Sequence, residues 1–309
     1  MSTTTGTGDP SPNRRSPDAR AAVATERNRR SFDARAAVAT ERAGGRTVLG
    51  TLRSDPPLTL RQTGPCTVHL VATAAGPLGG DHLALHIDVA PGTSLEIASV
   101  ASTLVLPGPG ESVSVVEARV GAGATLRYVP EPTVLAAGCA HRVIVRLTLE
   151  EGASVHWREE IVFGRHGERP GTCHARFDAT IGGVPLLRQE FLVGDPSVDG
   201  SPAVYGDARC VGSVLLTGSF AGEPAPDPAS ERPGTSPASE KPSAAPEKPD
   251  RASVKPVPSS EKPGAAEAVL AEGCAVLPLA GPGTLISALA PDAATLRRRL
   301  TWGEAQVRR

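Results

Sequence analysis

Three glycine corners set at a near-constant interval constrain this chain more than any other feature. They fall in Val89-Ala-Pro-Gly-Thr-Ser-Leu-Glu-Ile97, Val120-Gly-Ala-Gly-Ala-Thr-Leu-Arg-Tyr128 and Leu149-Glu-Glu-Gly-Ala-Ser-Val-His-Trp157. Each is a strand end, a two-residue step, a glycine, two small residues and a new strand. Gly92, Gly123 and Gly152 lie 31 and 29 residues apart, and the looser Ile181-Gly-Gly-Val-Pro-Leu186 places a fourth near 182, 30 further on. Glycine at such a point supplies the positive φ that tight strand connections need. A unit of this length with two or three short strands buries a core only against its neighbours, so the units must stack.

The segments between the corners alternate apolar with polar or small residues. Examples are Cys66-Thr-Val-His-Leu-Val-Ala72, Leu83-Ala-Leu-His-Ile-Asp-Val89 and Arg142-Val-Ile-Val-Arg-Leu-Thr-Leu149. Period two with β-branched enrichment and Gly/Pro boundaries reads as strand. The expected fold is all-β: stacked antiparallel β-sheets in a layered, β-solenoid-like sandwich, closed by a short C-terminal helix. An ordinary antiparallel sandwich with similar hairpins is the alternative. The helix is expected after Pro291, starting at Asp292, with Leu296 and Leu300 one turn apart.

Two stretches lack the apolar content to offset the entropy of ordering them. Residues 1–32 read as a disordered N-terminal extension, and 221–266, dominated by Pro, Glu, Lys, Ser and Ala, as a disordered insertion. The main β domain is then 33–220, and 267–309 supplies a strand and helix completing it, because the tail alone is too small to fold. The decapeptide Asp-Ala-Arg-Ala-Ala-Val-Ala-Thr-Glu-Arg occurs at 18–27 and again at 33–42, and only the second copy runs directly into the strands.

Composition removes several functions. Net charge is −1 and the pI about 6.7, against the basic excess of a nucleic-acid binder, and aromatics at 3% leave little for base stacking. Five scattered cysteines, never in a Cys-x-x-Cys pair, fit a reducing cytoplasm. There is no apolar run for a signal peptide or a membrane span, so a soluble, cytoplasmic protein is expected.

Chemical motifs are scarce. There is no P-loop, and Gly76-Pro-Leu-Gly-Gly-Asp81 leads into a strand where a dinucleotide site needs a helix. The better reading is a tight turn whose Asp81 caps backbone N–H groups or faces a cavity. No nucleophile elbow is present, although a spatially assembled Ser-His-Asp set keeps a β-fold hydrolase open as an alternative. His82 and His86 share one face of a strand, as surface histidines or as ligands of a weak site. Glu159, Glu160, Arg165, His166, Glu168 and Arg169 form a dense charged run, either a solvated hairpin or a channel mouth that attracts a divalent cation.

Four stretches, taken in order, resemble the urease accessory protein UreD (UreH) family. They are Arg46-Thr-Val-Leu-Gly-Thr-Leu-Arg-Ser-Asp-Pro-Pro-Leu58, Val68-His-Leu-Val-Ala-Thr-Ala-Ala-Gly-Pro-Leu-Gly-Gly-Asp81, Gly123-Ala-Thr-Leu-Arg-Tyr-Val-Pro-Glu-Pro-Thr-Val134 and Phe163-Gly-Arg-His-Gly-Glu168. The resemblance implies a cytoplasmic, non-catalytic urease maturation factor. Its implied partners are a UreF-like protein, a UreG-like GTPase and apo-urease subunits, with neither nucleic acid nor membrane. It also implies that nickel passes through an internal channel, with Ni2+ bound transiently and no tightly held cofactor. On that view Asp81, Glu131 and Glu168, the acidic members of the matched motifs, line or shape the path, joined as metal candidates by His82, His86 and His166. The competing reading has Asp81 and Glu168 satisfying turn backbones and Glu131 exposed. A β interaction module unrelated to metal is the remaining alternative.

Overall fold

The computed structural model describes residues 31–199, 201–221 and 268–307. The first decapeptide copy and nearly all of the two stretches expected to be disordered lie outside the described residues. The first strands are β1 (Asp33–Ala43), β2 (Arg46–Arg53), β3 (Leu58–Gln62), β4 (Thr67–Ala72), β5 (His82–Val89) and β6 (Ser94–Ser99). Next come β7 (Thr103–Val105), β8 (Ser112–Val120), β9 (Thr125–Val129), β10 (Thr133–Leu135), β11 (Ala140–Leu149) and β12 (Ser154–Val162). They are followed by β13 (Thr172–Ile181), β14 (Val184–Val193), β15 (Cys210–Thr217), β16 (Val269–Ala271), β17 (Cys274–Pro278) and β18 (Gly283–Ala290). Two helices accompany them, the single-turn α1 (Pro196–Asp199) and α2 (Ala293–Val307). The second decapeptide copy is β1, with Ala34, Ala36, Val38 and Thr40 buried on its inner face.

The chain alternates between two facing sheets. One runs β14-β13-β11-β8-β5-β1-β2, the other β16-β17-β18-β15-β12-β9-β6-β4-β3. The all-β, layered and solenoid-like expectation is met, but the antiparallel pairing is corrected in the middle of both sheets. There β1, β5, β8, β11 and β13 pair in parallel, as do β4, β6, β9 and β12. The cause lies in the corners. In each, the N–H of the residue after glycine closes a tight turn: Thr93 N to Ala90 O, Ala124 N to Gly121 O and Ala153 N to Glu150 O, at 3.0–3.1 Å. Such a turn sends the chain to the opposite sheet, so the hydrogen-bonding partner of each strand is one coil away. Val113 accordingly stands opposite His82 on one side and Arg142 on the other. At the fourth site Gly182 and Gly183 both have positive φ, 55° and 81°. That doublet suits a two-residue hairpin, and the chain turns back antiparallel as β14, ending the coils.

Gly123 has φ 63° and nothing within 4 Å of where a Cβ would sit. The cost of Gly123→Ala is therefore conformational alone, about 1–2 kcal/mol. Urea unfolding should show that loss, with Gly123→Asn losing less because Asn tolerates the left-handed region. Equal stability of the alanine variant would remove the corner argument.

The core between the sheets is apolar near the corners. Leu95, Leu126 and Val155 stand side by side in one sheet, and Val89, Val120 and Leu149 in the other, all buried. Each such side chain contributes about 1.5–3 kcal/mol on burial. The strands on either side of residues 222–267 are joined in one sheet, with β15 antiparallel to β18 along its whole length. Helix α2 begins as expected. Asp292 Oδ1 accepts from Thr295 N at 2.8 Å, an N-cap contact, and Leu296 and Leu300 are buried against Ile286 and Val214 in a second cluster. This cluster lies on the outer face of the β15–β18 sheet, so that sheet is covered on both sides here.

Candidate functional site: a cavity between the two sheets

The inner face changes character along the strands. At the end far from the glycine corners the inward positions of β8, β11 and β13 are Ser112, His141 and Cys173, which stand opposite one another in register. Facing them from β12, Val155, Trp157, Glu159 and Ile161 share the inward parity. A carboxylate thus stands where the pattern otherwise places apolar groups. Between these faces lies a cavity of about 250 Å3. Its carboxylates are Asp81, Glu131, Glu159 and Glu160, and its other polar lining includes Ser99, Ser114, Ser213 and His141.

Glu159 is the most perturbed acid of the wall. Burial costs its carboxylate hydration and pushes it up to about 7. The Tyr128 phenol beside it is held above its ordinary value by burial first and by the Glu159 charge second. The sign of the pH effect follows. Between the ordinary value of 4.5 and about 7 the folded chain holds a proton that the unfolded chain releases. Stability therefore falls as pH rises through that window and stays lower above it. Glu159→Gln removes the penalty. It should be more stable than the parent by about 3 kcal/mol at pH 8 and no different at pH 4. Urea titrations at the two pH values check this, and a gain of the same size at both would show that the carboxylate is not the cause.

His141 is pushed down to about 4, by burial above all, so its ring is neutral near pH 7. Ser112 Oγ lies 2.8 Å from His141 Nδ1 and also donates to Ala140 O at 3.2 Å. A hydroxyl has one hydrogen. With it directed at Ala140 O, Oγ accepts from Nδ1–H, the reverse of nucleophile activation. Burial also pushes the thiols of Cys139 and Cys173 up, to about 11 and 12. Thiolate chemistry has no foothold there.

The six metal candidates divide. Asp81 lines the cavity and braces its turn, accepting Phe32 N and Leu78 N at 2.9 Å each. Glu131 lines the cavity too, half-exposed, with Oε2 3.0 Å from Arg297 Nη2 of α2. Glu168 is a turn brace: it accepts from Arg165 Nε at 2.9 Å and from the backbone N–H of Ala137 and Arg165. That set of donors, the Arg165 side chain foremost, holds its carboxyl down at about 2. His82 and His86 do share a face, but it is the outer face of the β5 sheet, where His86 Nδ1 pairs with Glu117 Oε2 at 3.3 Å. His166 is exposed in the β12–β13 loop. The structure thus brings Asp81 and Glu131 to the cavity and leaves Glu168, His82, His86 and His166 away from its lining. Among the described residues no three His, Cys, Asp or Glu side chains converge as a metal cage.

Glu159 and Glu160 belong to the charged run seen in the sequence, yet they sit inside β12, and only Arg165–Arg169 occupy the loop. Parity separates the pair. Glu159 points inward, and Glu160, fully enclosed, lies with His156 and Arg158 on the side that α2 covers. Glu160 Oε1 is 3.1 Å from Arg158 Nε and 3.6 Å from Arg297 Nε. Further along, Arg127 Nη1 donates to His156 Nδ1 at 2.6 Å, and His156 Nε2 faces Glu304 Oε1 of α2 at 3.2 Å. The Arg297–Glu160 ion pair and the His156–Glu304 contact therefore tie α2 to the sheet beneath it.

An all-β coil with a cavity between its two sheets, covered on one sheet by a helix, defines the class: a β-solenoid-like body whose distinctive site is that cavity. Among the described residues no helix is long and apolar enough to cross a membrane. A family profile described as "UreD urease accessory protein" matches residues 33–308. The chain is 40% identical over 296 residues to "Urease accessory protein UreD" of Frankia casuarinae, covering 84% of this chain and 85% of that one. To the proteins of the same name from Frankia alni and Streptomyces avermitilis it is 38% and 36% identical, covering 83% of this chain in each case and 87% and 89% of theirs. The chain belongs to the UreD urease accessory protein family.

Proposed function

We propose that this chain is a non-catalytic maturation factor, a scaffold in a cytoplasmic complex that delivers nickel to apo-urease through its internal cavity. Its partners in that complex are a UreF-like protein, a UreG-like GTPase and the urease subunits. The observation that supports the reading is a cavity lining in which the acidic residues Asp81, Glu131 and Glu159 stand among serine hydroxyls. Such a wall attracts a divalent cation without caging it. Cys/His sets grip nickel hard, given its place in the divalent affinity order, and would hold the cargo. The pairing of β15 with β18 supports taking 33–220 and 267–309 as one domain interrupted by 221–266.

The test is urease nickel content in cells that make the urease subunits and the other accessory proteins at limiting nickel. Without this chain, urease protein should be present and nickel-poor, and restoring the chain should restore the metal. Metal-replete, active urease in its absence would overturn the reading.

A further inference from the structure

The first strand of the fold is written twice in the chain. Residues 18–27 repeat 33–42 without a difference, and the second copy makes up nearly all of β1. This strand lies inside its sheet, parallel to β5 and antiparallel to β2. All seven of its pairs with β5, and six of the seven with β2, are made by residues of the repeated ten. So are its buried inward side chains, Ala34, Ala36, Val38 and Thr40. Thr40 Oγ1 lies 2.6 Å from Thr93 Oγ1 and accepts from Ala90 N at 3.0 Å. The counterparts of Val38 and Thr40 in the first copy are Val23 and Thr25. Only the flanks differ. Phe32 N donates to Asp81 Oδ1 at 2.9 Å, and Gly44 and Gly45, at φ 56° and 78°, make the two-residue turn into β2. The first copy has Pro17, which lacks an N–H, in place of Phe32. It has Arg29 and Arg30, which are strained at positive φ, in place of the two glycines.

We propose that the chain holds an interchangeable first strand: residues 18–27 take the β1 slot in the same register when 33–42 leaves it, and 28–45 loop out. A slip by one residue would turn the inward side chains to the outer face. A shift by the whole repeat keeps each of them on its own face. An empty slot would leave β5 and β2 with open edges, and the other copy closes both. The flanks decide which copy is held. An 18-residue loop over 28–45 closes less readily than a two-residue turn, and the bond from the backbone to the Asp81 carboxylate is lost. Together these favour the second copy about a thousandfold. The first copy is therefore a minor occupant of the intact chain and takes over when the second is damaged. Domain swapping trades identical elements between chains. Here both elements belong to one chain, so the exchange needs no partner. This inference stands apart from the delivery role.

The test is disulfide trapping in the full-length chain. Thr40→Cys with Thr93→Cys replaces two hydroxyls 2.6 Å apart, and a disulfide should form readily on mild oxidation. Thr25→Cys with Thr93→Cys should form one too, about a thousandfold more slowly. Residue 93 is buried, so only a strand seated in the slot reaches it. Mass-spectrometric peptide mapping separates this bond from any made by the five native cysteines. Adding Val23→Asp should abolish the trap, because a carboxylate does not fit where Val38 is buried. Adding Pro17→Phe, which returns the N–H that faces Asp81, should speed it about tenfold or more. Urea unfolding gives a second reading. Val38→Asp should keep a cooperative transition at a lower midpoint, Val23→Asp should match the parent, and the two together should leave no transition. The inference is overturned by a Thr25→Cys chain that never closes on residue 93, or by a bond that joins two chains or survives Val23→Asp. Equal loss of stability in Val38→Asp and in the double variant would overturn it as well.

Discussion

Trp157→Ala is expected to destabilise the fold by about 3–5 kcal/mol, the range for truncating a large aromatic in a packed core. The indole has no exposed surface. It stacks on Tyr128 of the adjacent coil, with centroids 4.0 Å apart and planes at 18°. It also meets Phe177 of the opposite sheet at 5.7 Å. One side chain therefore links neighbouring coils and both layers. The surroundings cannot collapse readily onto the void, because they belong to two hydrogen-bonded sheets whose spacing is set elsewhere. With aromatics at 3% of the chain there is little else to fill it. Trp157→Phe should recover more than half of the loss, since it keeps the stack on Tyr128. Urea midpoints of the three proteins decide the matter. An alanine variant within about 1 kcal/mol of the parent would mean that the coils are held by their ladders and not by this contact.

Trp157 also marks how far the sequence could be read. Its inward position was legible, because Val155, Trp157 and Ile161 alternate with polar neighbours. Glu159 obeys the same parity and was legible in principle, but its place in a run of charges favoured a loop. The corners at Gly92, Gly123 and Gly152 were legible as a period. What alternation cannot reveal is the pairing partner, because period two is identical in a hairpin and in a coil. Parallel order therefore went unread, although the Gly182–Gly183 doublet differs from the single-glycine corners and marks where pairing reverses. His82 and His86 were correctly placed on one face. Leu83, Leu85 and Ile87 between and beyond them claim the interior and leave the histidines outside. The contact of Arg297 with Glu131 spans 166 residues and depends on how α2 docks, which no local pattern encodes.

That docking leads to the second large effect. Glu160→Ala should cost about 3–5 kcal/mol, the penalty for breaking a buried ion pair from one side. The alanine leaves Arg158 facing no carboxylate at 3.1 Å, with only 15% of its side chain exposed to recover hydration. It also removes one of the two carboxylates that hold Arg297. Burial raises the Glu160 carboxyl above its ordinary range, and the charges of Arg158 and Arg297 oppose that rise, so the three groups stand or fall together. A charge left alone is what the fold cannot tolerate. The double variant Glu160→Met with Arg158→Met replaces both charges by apolar bulk on a face that α2 already covers. It should be more stable than Glu160→Ala by about 2 kcal/mol or more. A double-mutant cycle in urea isolates the pair. Should Glu160→Ala lose less than about 1 kcal/mol, Arg158 must find water on that face, and α2 cannot be seated on the sheet as tightly as Leu296 and Leu300 place it.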